Sequence, residues 1–181
     1  MGVGKHATVA YLIDFRLSKE FRDPNTHQHI PFNDCLGFIG TTAFASINSH
    51  RGLELGRRDD LESLAYILLY FLWGSLPWQG LRSEGQEITE SKRGITTLDL
   101  YRELPPEFRM FFEHCRLLPF DGKPDYHRFC HLFDNLLVKG EGPQGDVAFD
   151  WGVAGTKIPD LKITRNVPPH EHKPSFKHNM V

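Results

Sequence analysis

The longest apolar run in the chain, Leu64 to Trp73, follows two adjacent acids, Asp59 and Asp60, and gives way to Gly74 with Pro77 close behind. Acids at the start suit the positive end of a helix dipole, and glycine followed by proline ends a helix. From Leu61 to Trp73 nearly every position is apolar, so the pattern predicts a helix buried on all sides at the centre of a domain. The run is roughly half of the ~20 residues that a membrane span needs. Pro105-Pro106-Glu107 opens a second helix, with Phe108, Phe111, Phe112 and Cys115 at i, i+3, i+4 and i+7. Asp125 is placed to cap a third, Tyr126 to Val138, whose Phe129, Leu132, Phe133, Leu136 and Leu137 form one stripe. Ile95 to Glu103 fits a shorter helix.

The N-terminal part follows another pattern. Thr8 to Phe15 is β-branched and aromatic with one acid near its end, which predicts a buried strand. A strand needs a partner, and only a turn and Met1 precede it, so it is expected to be half of a hairpin. Ser18 to Asn48 is polar and turn-rich, with Asp23-Pro24-Asn25 as a turn signal, and reads as a long loop. Beyond Trp151 the chain is polar and proline-containing without periodicity, so Gly152–Val181 is expected to be a disordered tail.

Composition narrows the class. The 181 residues are 40% hydrophobic and 24% charged, which is globular, and a net charge of −2 gives no overall field for nucleic acid or membrane. Cys35, Cys115 and Cys130 make no disulfide framework and suit a reducing compartment. Met1 to Ala10 has no apolar core of a signal peptide, so a cytoplasmic or nuclear site is expected. Gly2-Val3-Gly4-Lys5 is followed by His6, where a phosphate loop needs Ser or Thr, and the same His6 breaks a myristoylation signal.

Candidate chemistry begins at Asp14-Phe15-Arg16, a triplet that alone would mark only a strand ending in an acid. Further strings accompany it: Arg22-Asp23-Pro24 with Thr26 to Pro31, Gly40-Thr41, Ala45-Ser46-Ile47-Asn48, Arg57 to Leu64, and Gly74-Ser75-Leu76-Pro77-Trp78-Gln79-Gly80. Asp121 with Lys123-Pro124-Asp125-Tyr126, and Phe149-Asp150-Trp151, complete the set. Together they resemble the casein kinase 1 family of serine/threonine protein kinases, from its metal-binding motif to the end of the catalytic domain. Ser-Ile-Asn in place of the usual kinase Ala-Pro-Glu is distinctive of that family. The likeness covers residues 1–151, with 152–181 as the tail.

The resemblance implies a mainly α fold: a partial kinase C-terminal lobe with a short β-hairpin remnant at the N-terminus. It implies Mg-ATP as cofactor and a protein as substrate or partner. Asp14 matches the aspartate that holds magnesium on the nucleotide. Thr41 matches the threonine whose hydroxyl steadies the catalytic aspartate, with a plain loop cap as the competing reading. Asp60 matches the acid that anchors the catalytic loop from the central helix, with N-capping as its alternative.

Two departures qualify this. Arg16 stands where kinases have glycine, beside the metal site, where its cation either repels Mg²⁺ or pairs with phosphate. Ala43 stands where the family has an arginine of its phosphate-recognition site, and a methyl group pairs with no anion. The 181 residues also contain no glycine-rich nucleotide loop before Asp14, no strand lysine with a helix glutamate, and no His-Arg-Asp loop. Phosphoryl transfer is positioning and charge stabilisation by those parts. The start therefore falls inside the domain, and the chain is expected to be a truncated, inactive kinase part, or alternatively a non-catalytic protein-binding module. Loss of cover from Tyr66, Leu69 or Trp73 would then leave it sticky or partner-dependent. His127, Cys130 and His131 share one helix at zinc-like spacing but lack a fourth ligand, so packing at the core edge is the preferred reading.

Overall fold

The computed structural model describes residues 2, 6, 9–81 and 86–139. The chain divides into two units, one holding Met1–Leu12 and Gly145–Val181 and one holding Ile13–Gln144. In the first, the Gly2 N–H donates to the Val9 carbonyl at 2.9 Å and the Val9 N–H to the His6 carbonyl at 2.9 Å, closing a turn.

The second unit is helical: α1 Ile47–His50, α2 Arg57–Trp73, α3 Gln86–Gly94, α4 Thr97–Leu100, α5 Pro106–Leu117 and α6 Tyr126–Lys139. Local chemistry starts each of the capped helices. Ser46 Oγ accepts the Ser49 N–H at 3.1 Å, Thr96 Oγ1 accepts the Asp99 N–H at 3.1 Å, and Asp125 Oδ1 accepts the Arg128 N–H at 3.0 Å. At α2, Asp59 reaches back to the Gly56 N–H at 2.9 Å. Gly56 is required there, because a Cβ would stand 2.8 Å from the Phe120 carbonyl oxygen. Pro106 opens α5, where its missing N–H costs nothing. Gly74 closes α2 at φ 76°, a left-handed conformation that glycine adopts without strain.

The core lies between α2 and α5. Leu69 and Phe112 are fully covered, and Ala65, Tyr66, Phe111 and Cys115 are buried around them. Leu76, Trp78, Leu100, Tyr101 and Phe129 close the cluster. Tyr66 is its hub: its ring meets Trp78 edge-on at 5.0 Å and Phe112 at 5.5 Å. Two arginines at the start of α2 pin the α5–α6 connection. Arg57 donates to the Asp121 carbonyl at 2.8 Å and Arg58 to the Leu118 carbonyl at 3.0 Å.

The mainly helical expectation therefore holds, and the helices over 59–73, 106–117 and 126–138 fall where the apolar spacing placed them. Among the described residues the expected hairpin remnant does not form. Val9–Asp14 pair with no strand, Phe15–Leu17 form a 3-10 turn, and the only bridge among the described residues is Arg22 with His29. Nor is the segment buried: Leu12 is 87% and Ile13 81% exposed. A strand survives only on a partner strand's backbone groups, and none lies beside it among the described residues. The helix expected over 95–103 shrinks to Thr97–Leu100, α1 begins at the very end of the segment read as loop, and α3 lies where no element was expected. Tyr66 and Leu69 keep their cover and Trp73 is half-buried; the exposed apolar residues of α2 are Leu64, Phe71 and Leu72. Residues 152–181, the expected tail, lie outside the described residues.

Candidate functional site

Thr41 to Asn48 forms a loop and short helix laid across the start of α2, and its polar groups turn inward. Asp59 is the anchor. One carboxylate oxygen accepts from Ser46 Oγ at 2.9 Å and from Asn48 Nδ2 at 2.9 Å, while the other accepts the Gly56 N–H. Glu62, one turn on, accepts the Ile47 N–H at 3.2 Å and the Tyr66 hydroxyl at 2.7 Å with the same oxygen. Asp59 and Glu62 are 2% and 4% exposed, so these bonds are made away from water, where leaving a donor unpaired is expensive.

The other end of the loop is held by two residues far along the chain. Trp78 Nε1 donates to the Ala43 carbonyl at 2.8 Å. Lys92, from α3, donates to the Thr42 carbonyl at 3.0 Å and the Ala45 carbonyl at 2.7 Å, and lies 3.1 Å from His50 Nε2. Its ammonium also faces the rings of Tyr66 at 4.8 Å and Trp78 at 5.2 Å. Lys92 is 2% exposed, and burial pushes its pKa down to about 7.

That shift sets a pH dependence. The unfolded lysine titrates near 10.5, so between about pH 7 and that value the unfolded chain holds a proton the folded chain lacks. Stability therefore rises with pH in this window, by up to about 1.4 kcal/mol per unit. Cys115, which burial pushes up to about 12, and Tyr66 and Tyr101, also raised by burial, act oppositely once their unfolded counterparts ionise. Urea melts are expected to give a maximum near about pH 9, with the rise from pH 7 flattened in Lys92→Met. An equal rise in that variant would contradict the assignment.

The residues singled out from sequence divide. Asp60, given the anchoring role, is an exposed residue with no hydrogen bond among the described residues; desolvation of its carboxyl by the surrounding chain, then the Asp59 charge, push that carboxyl above the ordinary value. Its neighbour Asp59 is the acid that holds the 41–48 loop; the catalytic loop that the resemblance assigns to Asp60 is not among these residues. Thr41 contributes its carbonyl, which accepts the Phe44 and Ala45 N–H groups at 2.8 Å, while its side chain stays exposed. Ala43 likewise acts through its carbonyl. Asp59, Glu62, Lys92 and Trp78 carry the site without having been singled out as site residues. For Lys92 no sequence signal pointed inward.

Asp14 stands apart from this loop. It has φ 64°, ψ 67°, and Arg16 folds back onto it: Nε to one carboxylate oxygen at 2.7 Å, a terminal nitrogen to the other at 2.9 Å. The Arg16 hydrogen bond holds the Asp14 carboxyl below the usual range. Arg16 thus engages the acid itself, the outcome that neither repulsion of Mg²⁺ nor pairing with phosphate anticipated. The pair is open to solvent, so a magnesium ion would have to displace the guanidinium fork to reach the Asp14 oxygens.

Among the described residues no three His, Cys, Asp or Glu side chains converge to hold a metal ion. His127 and His131 do meet, Nε2 to Nε2 at 3.1 Å, with Cys130 exposed beside them on the same helix. No helix among the described residues is long and apolar enough to cross a membrane. No protein-family model matches the chain.

Proposed function

We propose that these 181 residues supply the C-terminal-lobe scaffold of a casein kinase 1-like serine/threonine protein kinase, and that on their own they transfer no phosphate. What supports the reading is one observation. Three of the strings that carry the resemblance, 45–48, 57–64 and 74–80, interlock through buried polar contacts: Ser46 and Asn48 on Asp59, Ile47 on Glu62, and Trp78 on the loop carbonyl of Ala43. On this reading the 41–48 loop corresponds to the segment that receives the protein substrate in a kinase, and residues that carry the resemblance hold it on the central helix.

The absence of transfer follows from the residues themselves. The chain contains no glycine-rich loop, strand lysine or His-Arg-Asp base, and Asp14 pairs with Arg16. Incubated with Mg-ATP and a casein-type substrate, the chain is expected to incorporate no more phosphate than its Asp14→Ala variant. Incorporation above that control would contradict the proposal.

A second reading, a non-catalytic protein-binding module, draws on the Arg16–Asp14 pair and on Ala43. Both remove chemistry that a working kinase of this type uses, and both are properties of the residues present.

A further inference from the structure

A cavity of about 200 Å³ opens where α1, α2, α3 and α5 meet, and its walls are basic. Arg51 from the end of α1, Arg58 from α2, Arg93 from α3 and Arg116 from α5 line it, with Asn48 and Glu62. Four cations face one acid. One oxygen of that acid accepts from the Ile47 N–H and the Tyr66 hydroxyl, which leaves a single carboxylate oxygen against four guanidinium groups. Asn48 is tied to Asp59.

The arginines are under-used. The side chains of Arg51 and Arg93 make no hydrogen bond or ion pair with any described residue, and Arg116 rests its guanidinium 5.3 Å from the Phe112 ring. Arg58 spends one terminal nitrogen on the Leu118 carbonyl, but its Nε is buried with no hydrogen bond; the nearest carboxylate oxygen, on Asp59, is 3.7 Å away. Like charges gathered from four elements around one cavity repel one another unless an anion joins them. Guanidinium forks match the oxygens of a phosphoryl group, which accepts from several directions at once. A water occupies about 30 Å³ in the liquid, so the cavity has room for one phosphoryl group and some of its hydration.

We propose that this cavity is an anion site for a phosphoryl group, carried either as inorganic phosphate or as a phosphorylated serine of a peptide. The site does not depend on the kinase reading. Ala43, whose carbonyl accepts from Trp78, is not among the residues that line it.

The test is a titration of the full 181-residue chain with inorganic phosphate, against chloride at matched ionic strength, followed by calorimetry and by the melting midpoint. Phosphate is expected to bind saturably and raise the midpoint. Arg51→Ala with Arg93→Ala is expected to weaken binding at least tenfold, and Arg93→Glu to weaken it at least as much. Arg128→Ala, an exposed arginine on α6, is expected to leave it unchanged. Circular dichroism confirms that the variants keep their helices, and a variant that does not is replaced by the other. A phosphoserine peptide that binds more tightly than free phosphate, through the same arginines, assigns the peptide as the source; equal or weaker binding assigns the free ion. A chloride response equal to phosphate, no binding by the unaltered chain, or retained binding without Arg51 and Arg93 overturns the proposal.

Discussion

Replacing Trp78 with alanine is expected to destabilise the second unit by about 3–5 kcal/mol. The side chain is 1% exposed and stands edge-on to Tyr66, so its loss opens a cavity at the hub of the aromatic core. It also removes the Nε1–H donor to the Ala43 carbonyl, which leaves the loop before α1 without one of its two distant ties. The other tie, Lys92, loses an aromatic face that its ammonium lies against. Urea unfolding followed by helical circular dichroism reads the effect as a shift of midpoint. Phe71→Ala makes the comparison: Phe71 is 73% exposed on the same central helix, and its truncation is expected to change stability by no more than about 0.5 kcal/mol. Equal effects would mean that Trp78 is not where the packing is concentrated.

The second large effect separates two adjacent acids. Asp59→Ala leaves Ser46 Oγ, Asn48 Nδ2 and the Gly56 N–H without their common acceptor. Unpaired buried donors cost about 1–3 kcal/mol each when water does not reach them, so a loss of about 3 kcal/mol or more is expected. Part of it is the end of α2, because the Asp59 carboxylate also caps that helix and complements its dipole. Asp60→Ala removes an exposed carboxylate that makes no hydrogen bond with a described residue, and is expected to stay within about 0.5 kcal/mol. The reverse order would mean that Asp59 is not the acid that holds the 41–48 loop.

This pair shows why part of the site was legible in the sequence and part was not. Apolar spacing placed α2, α5 and α6, because an unbroken or regularly striped apolar face has few ways to be buried. Spacing does not say which of two neighbouring acids turns inward. Successive residues on a helix point about 100° apart, so the choice falls to what lies opposite, here Ser46, Asn48 and the Gly56 N–H. Lys92 was hidden for a related reason. Gln86–Gly94 is polar, and its one buried residue is a lysine, drawn in by two carbonyls and a histidine from a segment some forty residues earlier. Such burial is decided by tertiary partners, against the residue's own preference.

The strand expected over 8–15 failed in the opposite direction. Its composition suits a sheet, but composition supplies no partner, and without one the described part of the segment stays exposed and turns at Asp14. The Arg16–Asp14 fork lies within that turn, two residues apart, and depends on a left-handed Asp14 that no pattern of side chains announces.

The central claim, a casein kinase 1-like scaffold without the chemistry of transfer, is tested most directly by supplying what the residues lack. The chain would be joined, through its N-terminus, to a casein kinase 1-type half that carries the glycine-rich loop, the strand lysine and the His-Arg-Asp loop, and the folded product assayed with Mg-ATP and casein. The account predicts that the joined protein with Arg16→Gly phosphorylates casein, that Asp14→Ala lowers that rate at least about 100-fold as loss of a metal ligand should, and that the form retaining Arg16 is the weaker enzyme. A folded Arg16→Gly product no more active than its Asp14→Ala counterpart would contradict it.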